Sequence, residues 1–327
     1  MTADSGDGQP RLGGGARLAW ADLPHPVRAQ VEEILGGPVV TAMSQPGGFS
    51  PGSADRVITA GGRRAFVKSA SAQLNADSRR IHAREAAVLD SLPDGLPVAR
   101  LVGVVEHGDW IALVLDDVDG HHPHLPWRPG QLDAVLDALA RLSDRPVAAE
   151  LAGSLPPLRD ELAGLFDGWN RVDDATVLPL EPSLAGWCAD HLDDLRRLAA
   201  EALELVPGDR LVHLDARADN LLLGPDGRVV VVDWPWAAVG AGWFDAVTLL
   251  INVRLYDPGY DVEAVLATHP VFTDLPPDAV DAVLAGMAGF FIPTSLEPPP
   301  PGLPTLRAFQ RDQGAATLDW LRQRRDG

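Results

Sequence analysis

The chain has 327 residues, 46% of them hydrophobic, and carries 46 acidic against 27 basic side chains for a formal net charge of −19. That length can bury one large core or two packed lobes, and so acidic a surface repels a phosphate backbone, which excludes nucleic acid as an expected partner. No apolar stretch approaches the roughly 20 residues needed to cross a bilayer, and Cys188 is the only cysteine, which makes an internal disulfide impossible and the cytoplasm the expected compartment.

Residues 1–16 are rich in Gly, Asp and Ser without an apolar run, the composition of a disordered tail and not of a signal peptide. Helical spacing over 26–35 stops at Gly36-Gly37. Short strands are expected at 39–43, 56–59 and 65–68, separated by the Gly- and Pro-rich stretch 45–52 and a Gly61-Gly62 turn. Residues 75–92 read as a helix with Ile81, Ala86, Val88 and Leu89 on its apolar side, and two further strands, 101–106 and 110–115, flank a turn at 107–109. Residues 17–115 therefore form an α+β lobe.

Acids, histidines and prolines crowd 116–130, which reads as a connector. From 131 to 327 the pattern is mainly helical, with helices expected at 131–142, 158–169, 183–205, 243–255, 277–290 and 306–324. One β interruption, 221–223 and 229–232, brackets the turn 224–227. Four prolines, 298–301, make a stiff loop that can be neither helix nor central strand. Two unlike lobes on a short connector imply a ligand-binding cleft between them.

The most specific stretch is His213-Leu214-Asp215-Ala216-Arg217-Ala218-Asp219-Asn220, followed by an apolar strand pair and Asp233. Phosphoryl transfer needs an aligned acceptor hydroxyl and a neutralised triphosphate more than covalent help from the protein. An Asp on a loop can orient the hydroxyl, an Asn five residues on can reach a metal, and an Asp after the next strand supplies a harder anionic ligand suited to Mg²⁺. Asp215, Asn220 and Asp233 meet that specification. As an ordinary Asp with pKa about 3.9, Asp215 is expected to be ionised at pH 7.

This arrangement resembles the catalytic core of the aminoglycoside phosphotransferase family, small-molecule kinases that share the protein-kinase-like fold. The resemblance extends over residues 39–245. Val231-Val232-Asp233-Trp234 is similar to the metal-binding segment, and Gly242-Trp243-Phe244-Asp245 to the start of the following helix. Gly47, Gly48, Phe49 and Ser50 stand where the family covers the nucleotide phosphates. Ala65-Phe66-Val67-Lys68 resembles the strand with the phosphate-contacting lysine, and Glu85 on the next helix can pair with Lys68. The hinge resemblance, 110–120, implies that the carbonyl of Asp116 and the amide of Val118 bind adenine. Together these imply a bilobal α+β fold with an antiparallel-sheet nucleotide lobe, a hinge at 116–130 and a helical catalytic and acceptor lobe, using ATP and Mg²⁺ with Asp215 catalytic and Asn220 and Asp233 on the metal. The sequence departs from the family at Leu214, where many members have Gly, and it has no Asp-Phe-Gly or Ala-Pro-Glu segment, which points to a small-molecule acceptor rather than a protein.

Other readings stay open at this point. Asp245 is expected to satisfy amides of the catalytic loop, His213 to fix that loop by hydrogen bonding, and Arg217 to contact phosphate, the acceptor or the neighbouring acids. Trp234 and Trp236 either wall the acceptor pocket or pack the lobe. His121, His122 and His124 form a cluster that is either a metal site or exposed linker, with no H-E-x-x-H signature to favour the metal. A kinase-like binding protein without activity, or a metal hydrolase using the Asp and His clusters, are the rivals. The net acidity, with Asp167, Asp173, Asp174 and Glu181 in the helical half, mildly favours a cationic acceptor such as an aminoglycoside; choline, homoserine and sugars are the metabolic alternatives.

Overall fold

The central strands in the first half of the chain are buried along most of their length, so each face of their sheet needs a helix. The computed structural model describes residues 17–45, 52–173 and 176–326. Its first elements are β1 (Arg17–Leu18), α1 (His25–Leu35), β2 (Val39–Ser44), β3 (Gly52–Thr59), β4 (Arg64–Ser71), α2 (Ala76–Ser91), β5 (Leu101–His107) and β6 (Trp110–Leu115). They form one sheet in the order β1-β3-β4-β6-β5, with β2 also on β3; β1 is parallel to β3 and every other pairing is antiparallel.

Alternation along the central strands sorts the side chains. Ala65 and Val67 of β4 and Ala112 and Val114 of β6 join Val27, Val31 and Leu35 of α1 in one cluster. Ala70 of β4 and Ile111, Leu113 and Leu115 of β6 point the other way, onto Ala86, Val88 and Leu89 of α2. That second cluster does not end at α2. It continues into the core of the helical lobe, through Leu132, Leu158, Leu221 and Phe244. α1 stops at Gly36, whose φ of 77° is the left-handed cap expected there. α2 starts at Asn75, whose Oδ1 accepts from the amide of Ser78 at 2.8 Å.

The second half contains α3 (Pro129–Leu142), α4 (Ala149–Ala152), α5 (Leu158–Phe166), α6 (Pro182–Asp190), α7 (Leu192–Leu205), β7 (Arg210–Val212), β8 (Leu221–Leu223), β9 (Val229–Val231), β10 (Ala238–Gly240), α8 (Phe244–Tyr256), α9 (Val262–Thr268), α10 (Ala279–Ser295) and α11 (Leu306–Asp326). β8 and β9 make an antiparallel hairpin, and β7 pairs with β10. α10 is the central helix of this lobe. Its Gly286 and Gly289 permit close approach of α5 and the turn after it: an added Cβ would come within 2.3 Å of Phe166 and 2.6 Å of Trp169.

The connector is fastened to both halves. Asp117 lies 3.0 Å from Arg56 of β3 and 2.7 Å from Arg64 of β4. His121 and Leu223 exchange two backbone hydrogen bonds, 3.1 and 2.8 Å, and the amide of Val231 donates to the carbonyl of Pro97 at 2.7 Å. The fold is thus the bilobal α+β arrangement expected, an antiparallel sheet with its key helix above a mainly helical lobe.

One local expectation needs correction, and several short elements were not expected. Residues 183–205 are two helices, not one: the backbone breaks at His191 (φ −115°, ψ 14°), whose ring stacks on Trp187 at 4.3 Å. β7 and β10 carry no sequence signal, because three residues make a strand only when a distant partner supplies the ladder. The short helices α4 and α9 escape a periodicity search for the same reason of length. Residues 1–16 lie outside the described residues, as does Asp174. Among the described residues no helix is long and apolar enough to cross a membrane.

Candidate active site

Lys68 sits in the middle of β4, on the face of the sheet that looks toward α2 and the second lobe. Its Nζ forms an ion pair with Glu85 of α2 and lies 2.8 Å from Oδ1 of Asp233. The lysine and glutamate side chains are buried, whereas the Asp233 side chain is 44% exposed. Burial by itself would lower the Lys68 pKa, but Asp233 and Glu85 outweigh it and hold the ammonium charged. Burial pushes Glu85 upward, with Lys68 opposing. For Asp233 the attraction of Lys68 more than offsets burial and brings the carboxyl down to about 2. One cation thus holds an anion from each lobe.

The second group stands on the loop after β7. Asp215 accepts at Oδ2 from Nδ2 of Asn220 at 2.9 Å, and the same amide nitrogen donates to the Asp215 carbonyl at 2.9 Å. With its NH₂ directed at acceptors, the Asn220 side chain keeps Oδ1 as the atom it can offer to a cation. The carbonyl of Asn220 accepts from the amide of Val232 at 2.9 Å. That backbone bond joins the two groups, because Asp233 is the next residue. The expectation of an ordinary Asp215 fails here: burial is the largest influence and, with Asp219 and Asp233 nearby, lifts its carboxyl to about 7 against the pull of Arg217 and Asn220.

Two residues of this site hold the left-handed backbone that L side chains avoid: Leu214 at φ 68° and Asp233 at φ 69°. Each costs on the order of 1–2 kcal/mol, which the surroundings have to offset. At Leu214 the compensation is visible. Both oxygens of Asp245, at the start of α8, take loop amides: Oδ2 from His213 at 2.6 Å and Oδ1 from Leu214 at 2.9 Å. The same φ explains why glycine suits this position. His213 adds its imidazole, with Nε2 donating to the Val232 carbonyl at 3.1 Å and Nδ1 accepting from the Asp215 amide at 3.3 Å. Burial lowers its pKa, in keeping with a neutral ring.

One positioning residue was not read from the sequence. Asn252 lies seven residues after Asp245, two turns along the same face of α8, and is buried. Its Oδ1 accepts from the amide of Ala218 at 3.2 Å and from the indole of Trp127 at 3.3 Å. Asp245 and Asn252 therefore hold the loop on both sides of Asp215. The signal was available: an amide in an otherwise apolar helix needs a partner.

Arg217 pairs with the neighbouring acids and packs on an aromatic ring. It is bound to Asp219 through Nε at 3.0 Å and Nη2 at 2.8 Å, stands 3.5 Å from Asp215 Oδ1, and packs over Phe309 of α11 at 5.2 Å. Trp234 packs the lobe: it is buried, edge-on to His213, with its indole on the Val231 carbonyl at 2.9 Å. The histidine cluster does not converge on a metal. His121 and His122 direct Nδ1 at the carbonyls of His122 and Leu221, 2.8 and 3.0 Å away. Among the described residues no group of three or more His, Cys, Asp or Glu could hold a metal ion. In the connector the amide of Asp116 donates to the Arg100 carbonyl at 3.0 Å, and the carbonyl of Val118 accepts from Arg56 at 2.6 Å. The expected phosphate-covering residues Gly47, Gly48, Phe49 and Ser50 lie outside the described residues.

Residues 48–283 match the model of the phosphotransferase enzyme family. The fold is similar to that of spectinomycin phosphotransferase solved with ADP and spectinomycin, at a TM-score of 0.55 and 12% identity over 90% of this chain and 98% of that one. It is also similar to choline kinase from Streptococcus pneumoniae, at 0.52 and 12% over 91% and 96%. A thermostable mutant aminoglycoside phosphotransferase, in a ternary complex with AMP-PNP and hygromycin B, gives 0.55 and 18% over 90% and 98%. No curated protein matches the sequence.

Proposed function

The chain belongs to the phosphotransferase enzyme family, and from that premise we propose that it moves the γ-phosphate of ATP onto a hydroxyl of a small molecule. The observation that carries this reading is the convergence of Lys68, Glu85 and Asp233 with the Asp215–Asn220 pair, tied together by the bond from Val232 to Asn220. Residues 17–115 act as the nucleotide lobe, 116–130 as the hinge and 131–327 as the catalytic and acceptor lobe. The carbonyl of Asp116 and the amide of Val118 meet the adenine, and the amides of Gly47, Gly48, Phe49 and Ser50 cover the phosphates. Lys68, steadied by Glu85, sets its ammonium against the α- and β-phosphates.

Asp233 and the Oδ1 of Asn220 are hard oxygen donors of the kind Mg²⁺ takes, alongside phosphate and water ligands. When bound, that ion supplies positive charge against the triphosphate. Asp215 accepts the hydrogen bond of the acceptor hydroxyl, aims its oxygen along the line of transfer and receives its proton late in the reaction. His213, Asp245 and Asn252 keep the Asp215 loop in its strained shape. The net charge of −19 favours a cationic acceptor, such as an aminoglycoside or another cationic antibiotic or metabolite.

A panel of hydroxylated amines, antibiotics and sugars, choline and homoserine among them, with γ-labelled ATP and Mg²⁺ is the direct test. Transfer of label to one acceptor supports the reading and names the substrate. Nucleotide binding with no transfer to any member, and no acceptor-stimulated ATP consumption, would favour a binding protein that has kept the fold and lost the reaction.

A further inference from the structure

The pairing of Lys68 with Glu85 is only as well placed as the helix that carries Glu85. By sequence α2 belongs to the sheet lobe, yet three of its side chains are anchored in the helical lobe. At its start, Nδ2 of Asn75 donates to the carbonyl of Pro301 at 3.2 Å, in the stiff proline run between α10 and α11. In the middle, the guanidinium of Arg84 lies 3.1 Å from Oε1 of Glu161 on α5, and its Cζ stands 5.3 Å from the centre of the Trp236 ring. Trp236 follows Asp233 by three residues, and the amide of Trp234 between them donates to Oε1 of Glu85 at 3.4 Å. Arg84 and Glu161 are 28% and 22% exposed, so their attraction is less screened than that of the surface pairs around them.

We infer that Arg84 is a positioning residue, which fixes α2 against the helical lobe through Glu161 and Trp236 and so determines where Glu85 presents Lys68 to the nucleotide. The inference rests on the nucleotide site proposed above, but not on the identity of the acceptor. The chemistry is local. Arg84 and Glu85 are adjacent on the helix and point to different partners, so a helix held by one cannot turn away with the other. The guanidinium suits the place because its plane can lie over an indole while its edge meets a carboxylate. With this latch, α2 reaches its working position without a phosphorylated loop to pull it there.

The test compares Mg²⁺–ATP affinity by calorimetry, and amide exchange of α2 without nucleotide, in five proteins: the wild type, Arg84→Ala, Glu161→Gln, Glu85→Gln, and Arg84→Ala combined with Glu85→Gln. Each single variant is expected to weaken nucleotide binding about fivefold and to speed exchange along α2. Adding Arg84→Ala to Glu85→Gln is expected to change affinity by less than about twofold, because the effect passes through Glu85. Unchanged affinity in both single variants, or a fully additive loss in the double variant, overturns the inference. If Arg84→Ala does not fold, Glu161→Gln decides, since it keeps the shape and removes the charge. Absence of nucleotide binding by the wild type would overturn the proposed site itself, and this inference with it.

Discussion

The two faces of the N-terminal sheet are built from the same strands but do different work. On the outer face, α1 closes a small core of its own with Val27, Val31, Leu35, Val67 and Val114. On the inner face, α2 packs into a core that runs on without a break into the helical lobe, and Lys68 and Glu85 emerge at its edge. Adjacent residues of β4 belong to opposite sides, Val67 to the outer and Lys68 to the inner. The difference teaches that the outer face holds the lobe together, whereas the inner face also holds one lobe to the other. Chemistry is placed where the two lobes share a core.

Substitutions can break or sharpen that contrast. The largest effect is expected beneath the inner face: Asp215→Asn should lower turnover about 10⁴-fold while Mg²⁺–ATP affinity stays within about twofold of wild type. Steady-state kinetics with the acceptor found in the panel, beside calorimetry, separates the two, and a parallel loss of affinity would contradict the role of Asp215. Lys68→Met should reduce kcat/KM for ATP about 10²-fold. It should also cost stability, because Glu85 is left buried without its cation. One residue away, Val67→Ala should lower stability by about 2 kcal/mol in a denaturant titration and leave KM for ATP unchanged. If Val67→Ala shifted KM, the two faces would be coupled and the contrast would fail. The smallest effect is expected for Asn252→Ala, about tenfold in kcat with the ATP affinity retained, since it loosens the loop around Ala218 and touches no nucleotide.

Much of the architecture was legible beforehand because it depends on local signals. Gly36-Gly37 ends α1, the helical pattern from Asn75 marks α2, and short apolar runs mark β4 and β6 as strands. The residue types of the candidate site were legible in the same way, from His213 to Asn220 and at Asp233, Lys68 and Glu85. What escaped was whatever depends on a partner far along the chain. Asn252 gains its meaning only against Ala218 and Trp127, and Arg84 only against Glu161 and Trp236. The break at His191 falls inside a stretch, 183–205, that contains no proline to mark it.

By itself the sequence determined which chemistry this protein can hold: two carboxylates and an amide at fixed spacing, and a lysine and glutamate upstream in the right order. The tertiary structure alone decided how strongly those groups act. Burial raises Asp215 to about 7 while Lys68 draws Asp233 down to about 2, although both are the same residue type. The reason is physical. A side chain's identity is local, but its dielectric surroundings and the charges around it are set by segments that meet only when the lobes close on a common core.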